Sequence, residues 1–219
     1  MNIPDLSKPL LAIDTATPSC SVAVRVNQRI IARADHSVAK HTRVILPMIK
    51  DCLDEAQLAM TDIAGIILSA GPGAFTGLRV GASVASGLAY ASNIPIGKLS
   101  SLALVAATSG ETGIVLPLLD ARIEHCYAGL YHCFDNQIEV LAPDTLCAPD
   151  ELPEDWQTRA QCAVGSGLIY RDKMHFATAK LLPDTVPLAE KAFSCLSAVC
   201  WQSAQTPIEL YYLRNEITS

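Results

Sequence analysis

Residues 69–81 combine glycines, two hydroxyl side chains and one arginine in a pattern that could bind an anion. An apolar run over 63–68 precedes them and a small-residue stretch over 76–91 follows, which predicts a strand, a glycine loop and a helix N-terminus. Such a turn presents backbone N–H groups and the positive end of the helix dipole, and the candidate contacts are Gly73, Thr76 and Arg79. The loop lacks the Gly-Lys-Ser/Thr ending of a P-loop, and no ribose-binding acidic residue follows the next strand. Anion contact and structural packing therefore both stay open.

Two further turns carry charged or polar side chains at the ends of predicted strands. Asp14 and Thr15 follow the first strand, where sugar kinases and actin-like ATPases place a phosphate-binding turn. Those turns generally need glycine, whereas Ala16 stands here, so a capping role for Asp14 is the alternative. Asp120 and Arg122 begin the corresponding turn of the second half, where they either contact a ligand or pair across a cleft.

The remaining titratable residues do not form a recognisable catalytic or metal-binding motif. None of the eight cysteines forms C-x-x-C, and we expect them to be small buried hydrophobes in a reducing compartment. His125 and His132 are an odd number of positions apart in a predicted strand, so their side chains point to opposite faces. The sequence therefore nominates no catalytic residue and no metal site.

The order of hydrophobic patterns predicts an α/β fold made of two related halves, 1–108 and a smaller half, 109–219. In the first half we expect three strands, a helix over 41–58, the strand before the glycine loop, the long helix after it, a strand over 94–97 and a helix over 100–107. Early hairpins and later crossovers give a mixed sheet with packed helices. In the second half the pattern restarts with strands over 114–119, 126–134 and 138–146, a short helix and loop over 149–159, a strand over 163–167 and a helix over 186–202.

The helix after the glycine loop is apolar or small on nearly every side. One face must lie on the sheet, and the small residues of the other would let a second helix approach closely. With the amphipathic helix over 41–58 it predicts a subunit interface, because an open apolar patch lowers solubility. Internal packing is the alternative. The predicted interface residues are Val44, Met48, Leu78, Gly81, Ala82, Ser83, Val84, Ala85 and Ser86.

Composition excludes several classes of function. Half of the residues are apolar, 17% are charged and the net charge is −6, which argues for a globular protein and against a nucleic-acid binder working alone. The sequence contains no apolar run of about 18 residues that would cross a bilayer, and its first residues lack the pattern of a signal peptide. We therefore expect a cytoplasmic protein without a membrane partner.

Five blocks occur in the same order as in the TsaB family, also called YeaZ. They are LAIDTAT at 11–17, HTRVILPMI at 41–49, GPGAFTGLRVG at 71–81, DAR at 120–122 followed by Tyr127, and YLRN at 212–215. The resemblance implies an actin-like/Hsp70-like ATPase (ASKHA) fold and a role in making threonylcarbamoyladenosine, at the adenosine 3′ of the tRNA anticodon. It further implies pairing with TsaD, the relative that transfers the threonylcarbamoyl group to N6, through the N-terminal helices. A small ATPase, TsaE, completes that complex.

The resemblance also implies that this chain is not the catalyst. TsaD-type proteins carry His-x-x-x-His on the helix after the fifth strand, and Ser100 and Leu104 stand at those positions here. Because leucine cannot bind a metal ion, that metal site is absent. We expect no bound cofactor, a nucleotide only at the junction with TsaD, contact with tRNA only through the complex, and a homodimer when TsaD is absent. The alternatives are an independent glycoprotease-type peptidase, a small-molecule kinase, or a homodimeric binding module unrelated to tRNA.

Overall fold

The computed structural model describes residues 3–37, 41–135, 137–176 and 179–214, so that Asn215 of the last sequence block lies outside the described residues. Its first sheet has six strands in the order β11-β5-β4-β1-β2-β3. The strands are β1 (Leu10–Asp14), β2 (Cys20–Val26), β3 (Arg29–Asp35), β4 (Gly65–Ser69), β5 (Ile96–Leu99) and β11 (Cys200–Gln202). The first three form antiparallel hairpins, while β4 runs parallel to β1 and β5 parallel to β4. The mixed sheet that the sequence predicts is confirmed.

Three helices accompany this sheet: α1 (His41–Ala56), α2 (Phe75–Ser92) and α3 (Ser101–Thr108). α1 turns Ile45, Ile49 and Cys52 into the core, at the three- and four-residue spacing of one helix face. α2 ends at Asn93, which adopts a left-handed conformation with φ 51° and donates its N–H to the Ala89 carbonyl. Among the described residues, no helix combines the length and apolar character needed to span a bilayer.

The second sheet repeats the strand order of the first. Its order β10-β9-β6-β7-β8 matches β5-β4-β1-β2-β3, with an antiparallel meander followed by a parallel strand beside its first member. The strands are β6 (Gly113–Arg122), β7 (His125–Phe134), β8 (Gln137–Cys147), β9 (Cys162–Val164) and β10 (Lys180–Leu182), with the short helix α4 at Glu154–Arg159. The prediction of two related halves in an actin-like/Hsp70-like ATPase fold is confirmed.

Two predicted elements are corrected. The predicted strand over 94–97 lies two residues later, because Asn93 ends α2 and the chain needs Ile94 and Pro95 to turn back. The predicted helix over 186–202 is wrong: the chain forms 3₁₀ turns at Ala189–Ser194 and Leu196–Ala198 and then β11, which pairs antiparallel with β5. The end of the second predicted half therefore returns to the first sheet.

α3 joins the two sheets. The helix is apolar on every side, and Leu102, Val105 and Ala106 lie in one buried cluster with residues of both sheets. Ser100 caps its N-terminus, accepting hydrogen bonds from the N–H groups of Leu102 and Ala103. The Ser100 hydroxyl also donates to Asp144 of β8, so that the helix cap is tied to the second sheet.

Tyr131 of β7 joins Ser100 and Asp144 to form a polar cluster in the core. Its hydroxyl donates to the Asp144 carboxylate and lies 3.2 Å from the Ser100 oxygen. Burial raises the pKa of Asp144, while the hydrogen bonds from Ser100 and Tyr131 act in the opposite direction. Burying a carboxyl group costs free energy. Here two hydroxyl groups from different elements offset that cost by donating hydrogen bonds to it.

Tyr131→Phe should lower the free energy of unfolding by about 1.5–3 kcal/mol, because it removes a hydroxyl that donates to a buried carboxyl without changing the ring. Urea unfolding followed by circular dichroism measures the change. Tyr90→Phe is the control, since the Tyr90 side chain is exposed, and it should stay within about 0.5 kcal/mol of the parent. Equal stabilities of the two variants would contradict the role given to the Tyr131 hydroxyl.

Candidate functional site

The glycine loop packs against the chain's own β1–β2 turn. The Ala74 N–H donates to the Ala16 carbonyl at 2.7 Å, and a Cβ on Gly73 would overlap the same carbonyl oxygen. Gly71 has φ +112°, a conformation that favours glycine. The sequence leaves anion contact and structural packing open as reasons for Gly71 and Gly73. In the structure, backbone packing accounts for both glycines.

The first turns of α2 continue this contact. A Cβ on Gly77 would overlap the Thr15 carbonyl, a Cβ on Gly81 would overlap the Thr15 hydroxyl, and that hydroxyl donates to the Gly77 carbonyl at 2.8 Å. The prediction that Gly81 makes room for a second subunit is wrong, because Gly81, like Gly77, faces Thr15, the residue that follows β1. Thr15 is fully buried and holds α2 onto that strand.

Asp14 lies beneath this contact and is fully buried. One carboxylate oxygen accepts the Ala16 N–H at 3.3 Å, and the other has no hydrogen-bond partner among the described residues. Burial raises the pKa of Asp14 to about 7. The Thr17 hydroxyl likewise has no partner among the described residues. The capping contact proposed for Asp14 is present, and its carboxyl is a buried group that changes its charge near neutral pH instead of near pH 4.

A cleft of about 630 Å³ separates the two halves. Of the predicted ligand contacts, Gly73, Asp120 and Arg122 line it, together with Tyr127 and Ser166. Asp120 is engaged within the chain: Tyr170 donates to its carboxylate at 2.9 Å, and Arg122 pairs with it at 3.2 Å. The cleft thus has polar walls, and of its two acidic side chains, Asp120 and Asp184, the first is already bound to neighbours within the chain.

A second concavity, which we call the α1/α2 groove, has a volume of about 420 Å³ and lies between the outer faces of the two helices. Thr76 and Arg79, predicted as cleft contacts, line this groove instead, together with Thr42 and Leu46 of α1. The Arg79 guanidinium stacks 3.7 Å from the centre of the Phe75 ring, and Tyr212 packs on the same ring at 5.4 Å. Phe75 lines both the groove and the cleft.

The predicted interface residues fall into two groups. Met48, Leu78, Gly81 and Ala85 are buried against the first sheet, so their side chains are not available to a partner. The others lie at least partly on the surface, and Ser83 and Val84 line the groove; this group is Val44, Ala82, Ser83, Val84 and Ser86.

Three exposed apolar side chains were missed by the sequence reasoning. Leu46 and Phe75 line the groove with 52% and 43% of their surface exposed, and Tyr90 of α2 exposes 71%. For Tyr90 the available signal was helical spacing, because Thr76, Ser83 and Tyr90 follow one stripe of α2 at seven-residue intervals. In the part of the chain that the structure describes, no three His, Cys, Asp or Glu residues are grouped in a way that could hold a metal ion.

Asp14→Asn should make stability less dependent on pH. A carboxyl whose pKa is higher in the folded chain than in the unfolded chain binds its proton more tightly when folded, so the parent loses stability as pH rises. The stability of the variant relative to the parent should therefore increase by up to about 1.4 kcal/mol per pH unit between about pH 4 and about pH 7. Urea unfolding across this range measures it.

The exposed carboxylate variant Asp172→Asn controls for the loss of one charge. A relative stability of Asp14→Asn that stays constant or falls with pH would contradict the raised pKa of Asp14.

Comparisons with known proteins agree with this architecture. The family model for TsaD, tRNA N6-adenosine threonylcarbamoyltransferase, matches residues 34–202. The tRNA threonylcarbamoyladenosine biosynthesis protein TsaB of Escherichia coli is 32% identical over 95% of each chain, and that of Haemophilus influenzae is 29% identical over 95% of this chain and 94% of the relative.

Solved structures give the same result. An uncharacterized Pseudomonas aeruginosa protein with similarity to peptidase YEAZ superposes with a TM-score of 0.86 at 29% identity, covering 94% of this chain and all of the other. YeaZ from the same organism superposes with a TM-score of 0.79 at 30% identity over 85% of this chain and 90% of its own. The family resemblance read from the five sequence blocks is confirmed, and the chain belongs to the TsaB (YeaZ) family.

Proposed function

We propose that this chain is a non-catalytic scaffold subunit in the formation of threonylcarbamoyladenosine in tRNA, and that a TsaD-type subunit docks on its α1/α2 groove. The E. coli and H. influenzae relatives carry the name tRNA threonylcarbamoyladenosine biosynthesis protein, which supports a place in this modification. A cytoplasmic location belongs to the same proposal.

The observation that carries the docking is the exposed apolar surface of the groove. Leu46 and Phe75 stand at its walls and Val80 and Val84 contribute to its lining. Apolar side chains grouped in this way cost solubility unless a partner covers them, and aromatic residues with an arginine beside them are enriched at protein interfaces. The Arg79–Phe75 stack supplies that combination.

The kind of partner follows from the similarity between this chain and the TsaD family. Because a TsaD family model matches this chain over 34–202, which includes α1 and α2, a TsaD-type protein should present equivalent helices. Two related chains can then pair face to face, as identical chains do about a twofold axis. The small outward residues Ala82, Ser83 and Ser86 allow the helices to approach closely. The same geometry supports a homodimer when TsaD is absent.

The remaining components of the proposal are tRNA, TsaE and a nucleotide. Sixteen basic against 22 acidic residues give this chain a net charge of −6, so phosphate contacts to tRNA would come from other subunits. Transfer of the threonylcarbamoyl group takes place on TsaD, with TsaE as a third component and nucleotide only at the junction with TsaD.

An independent enzyme, a small-molecule kinase or a glycoprotease-type peptidase, is the second candidate. The inter-half cleft of about 630 Å³ favours it, since clefts between halves commonly hold small ligands. Calorimetry on the isolated chain with ATP and, separately, with Zn²⁺ distinguishes the two candidates. Tight stoichiometric binding of either ligand would contradict the scaffold proposal.

Val84→Asp should weaken binding to purified TsaD at least about tenfold, because it buries an unpaired carboxylate in the proposed interface. Calorimetric titration gives the affinity, and size-exclusion chromatography with light scattering gives the oligomeric state alone and with TsaD. Ala82→Asp should act in the same direction.

Val140→Asp is the matched control: Val140 is 51% exposed on β8, away from the groove, and the same change there should leave TsaD binding unchanged. If Val84→Asp folds, by circular dichroism, and still binds TsaD as the parent does, the groove is not the docking surface.

A further inference from the structure

Two cysteines face each other across neighbouring strands of the second sheet. Cys126 of β7 and Cys147 of β8 are direct partners in the antiparallel register, and their sulfur atoms are 3.9 Å apart. Cys126 is fully buried, whereas Cys147 is partly exposed. We propose that Cys126 and Cys147 form a redox-active dithiol, which a peroxide converts into a cross-strand disulfide.

The backbone already suits such a bond. Directly opposed residues of antiparallel strands have Cα atoms about 4.5–5.5 Å apart, inside the range of about 4.4–6.8 Å that a disulfide spans. Because the two sulfurs are in contact, closing the bond requires rotation of side chains and no change of strand register. The 20 residues between the two cysteines form the β7–β8 hairpin, so the disulfide would fix its open end.

The two thiols have unequal environments, which assigns them different parts in the reaction. A hydrogen bond from the Cys126 thiol lowers the pKa of Cys147, while the same contact together with burial raises the pKa of Cys126. Cys147 is therefore the accessible sulfur that reacts as a thiolate, and Cys126 is the protonated partner that resolves the intermediate.

The step balances with hydrogen peroxide as the oxidant. The Cys147 thiolate takes one oxygen as the O–O bond breaks, giving a sulfenic acid and a hydroxide that the released thiol proton converts to water. The Cys126 sulfur then bonds to the Cys147 sulfur, the S–O bond breaks, and the second hydroxide leaves as water with the Cys126 proton. Two thiols lose two electrons and two protons in total, and the peroxide becomes two waters.

The five other buried cysteines lack the lowered pKa of Cys147. Burial raises the pKa of Cys20 and Cys195 to about 12, and that of Cys52, Cys133 and Cys162 to about 11. Cys200 is exposed on β11 and serves as an internal comparison. Oxidation of Cys200 by itself adds oxygen or joins two chains, so its products differ in mass from the intrachain cross-link.

The position of the pair connects it to the inter-half cleft. Cys126 is also the register partner of Asp120 in β6, and Tyr127 follows it; Asp120 and Tyr127 both line the cleft. A disulfide here would hold β8 against the strand that forms part of the cleft wall.

The test is titration of the full-length chain with hydrogen peroxide, followed by alkylation, intact mass and peptide mapping without reductant. We expect the loss of two titratable thiols and two hydrogen atoms per chain, a peptide cross-link between Cys126 and Cys147, and full reversal by dithiothreitol. Cys200→Ser should leave this cross-link unchanged.

Two serine variants separate the roles. Cys126→Ser should stop the reaction at a sulfenic acid on Cys147, which dimedone traps, and Cys147→Ser should abolish oxidation at Cys126. Circular dichroism confirms that each variant is folded. Oxidation of Cys147 in the parent without the cross-link, or a pair left reduced while Cys200 reacts, would overturn the proposal.

Discussion

The contact between the β1–β2 turn and the glycines of the following loop and helix is the constraint on which the rest of the molecule depends. Gly73, Gly77 and Gly81 lie so close to Ala16 and Thr15 that a side chain at any of them would overlap the first strand's end. This approach fixes the direction of α2 across the first sheet. It also seals Asp14 from solvent, which is why the pKa of that carboxyl is raised.

Once α2 is fixed, the two concave surfaces follow. The inner face of α2 packs on the sheet, so its outer face borders α1 and forms the groove. The loop before α2 forms one wall of the inter-half cleft. Phe75 belongs to both surfaces because it begins the helix between them. Tyr212 packs on this ring, and Arg214 donates to the Arg122 carbonyl at 3.2 Å, so the C-terminal segment spans the two halves.

Much of the fold could be predicted because its signals are local. The three strands expected before the first helix are present as β1, β2 and β3, and α1 and α2 follow from apolar spacing and from the glycine loop. The helix predicted over 186–202 is wrong for two reasons. Apolar residues at helical spacing also suit 3₁₀ turns that pack on a core, and β11 is stabilised by pairing with a distant strand. Pairing between residues so far apart in sequence has no local signature.

The sequence by itself determined the family, the duplicated α/β plan and the presence of a small-residue helix beside an amphipathic one, since these depend on residue types and short-range periodicity. Only the tertiary structure decided which faces of these helices remain available to a partner. It turned Leu78, Gly81 and Ala85 inward and Thr76 and Arg79 toward the groove, and it brought Cys126 and Cys147 together. The physical reason is that burial and contact depend on what packs from elsewhere in the chain, which no local pattern records.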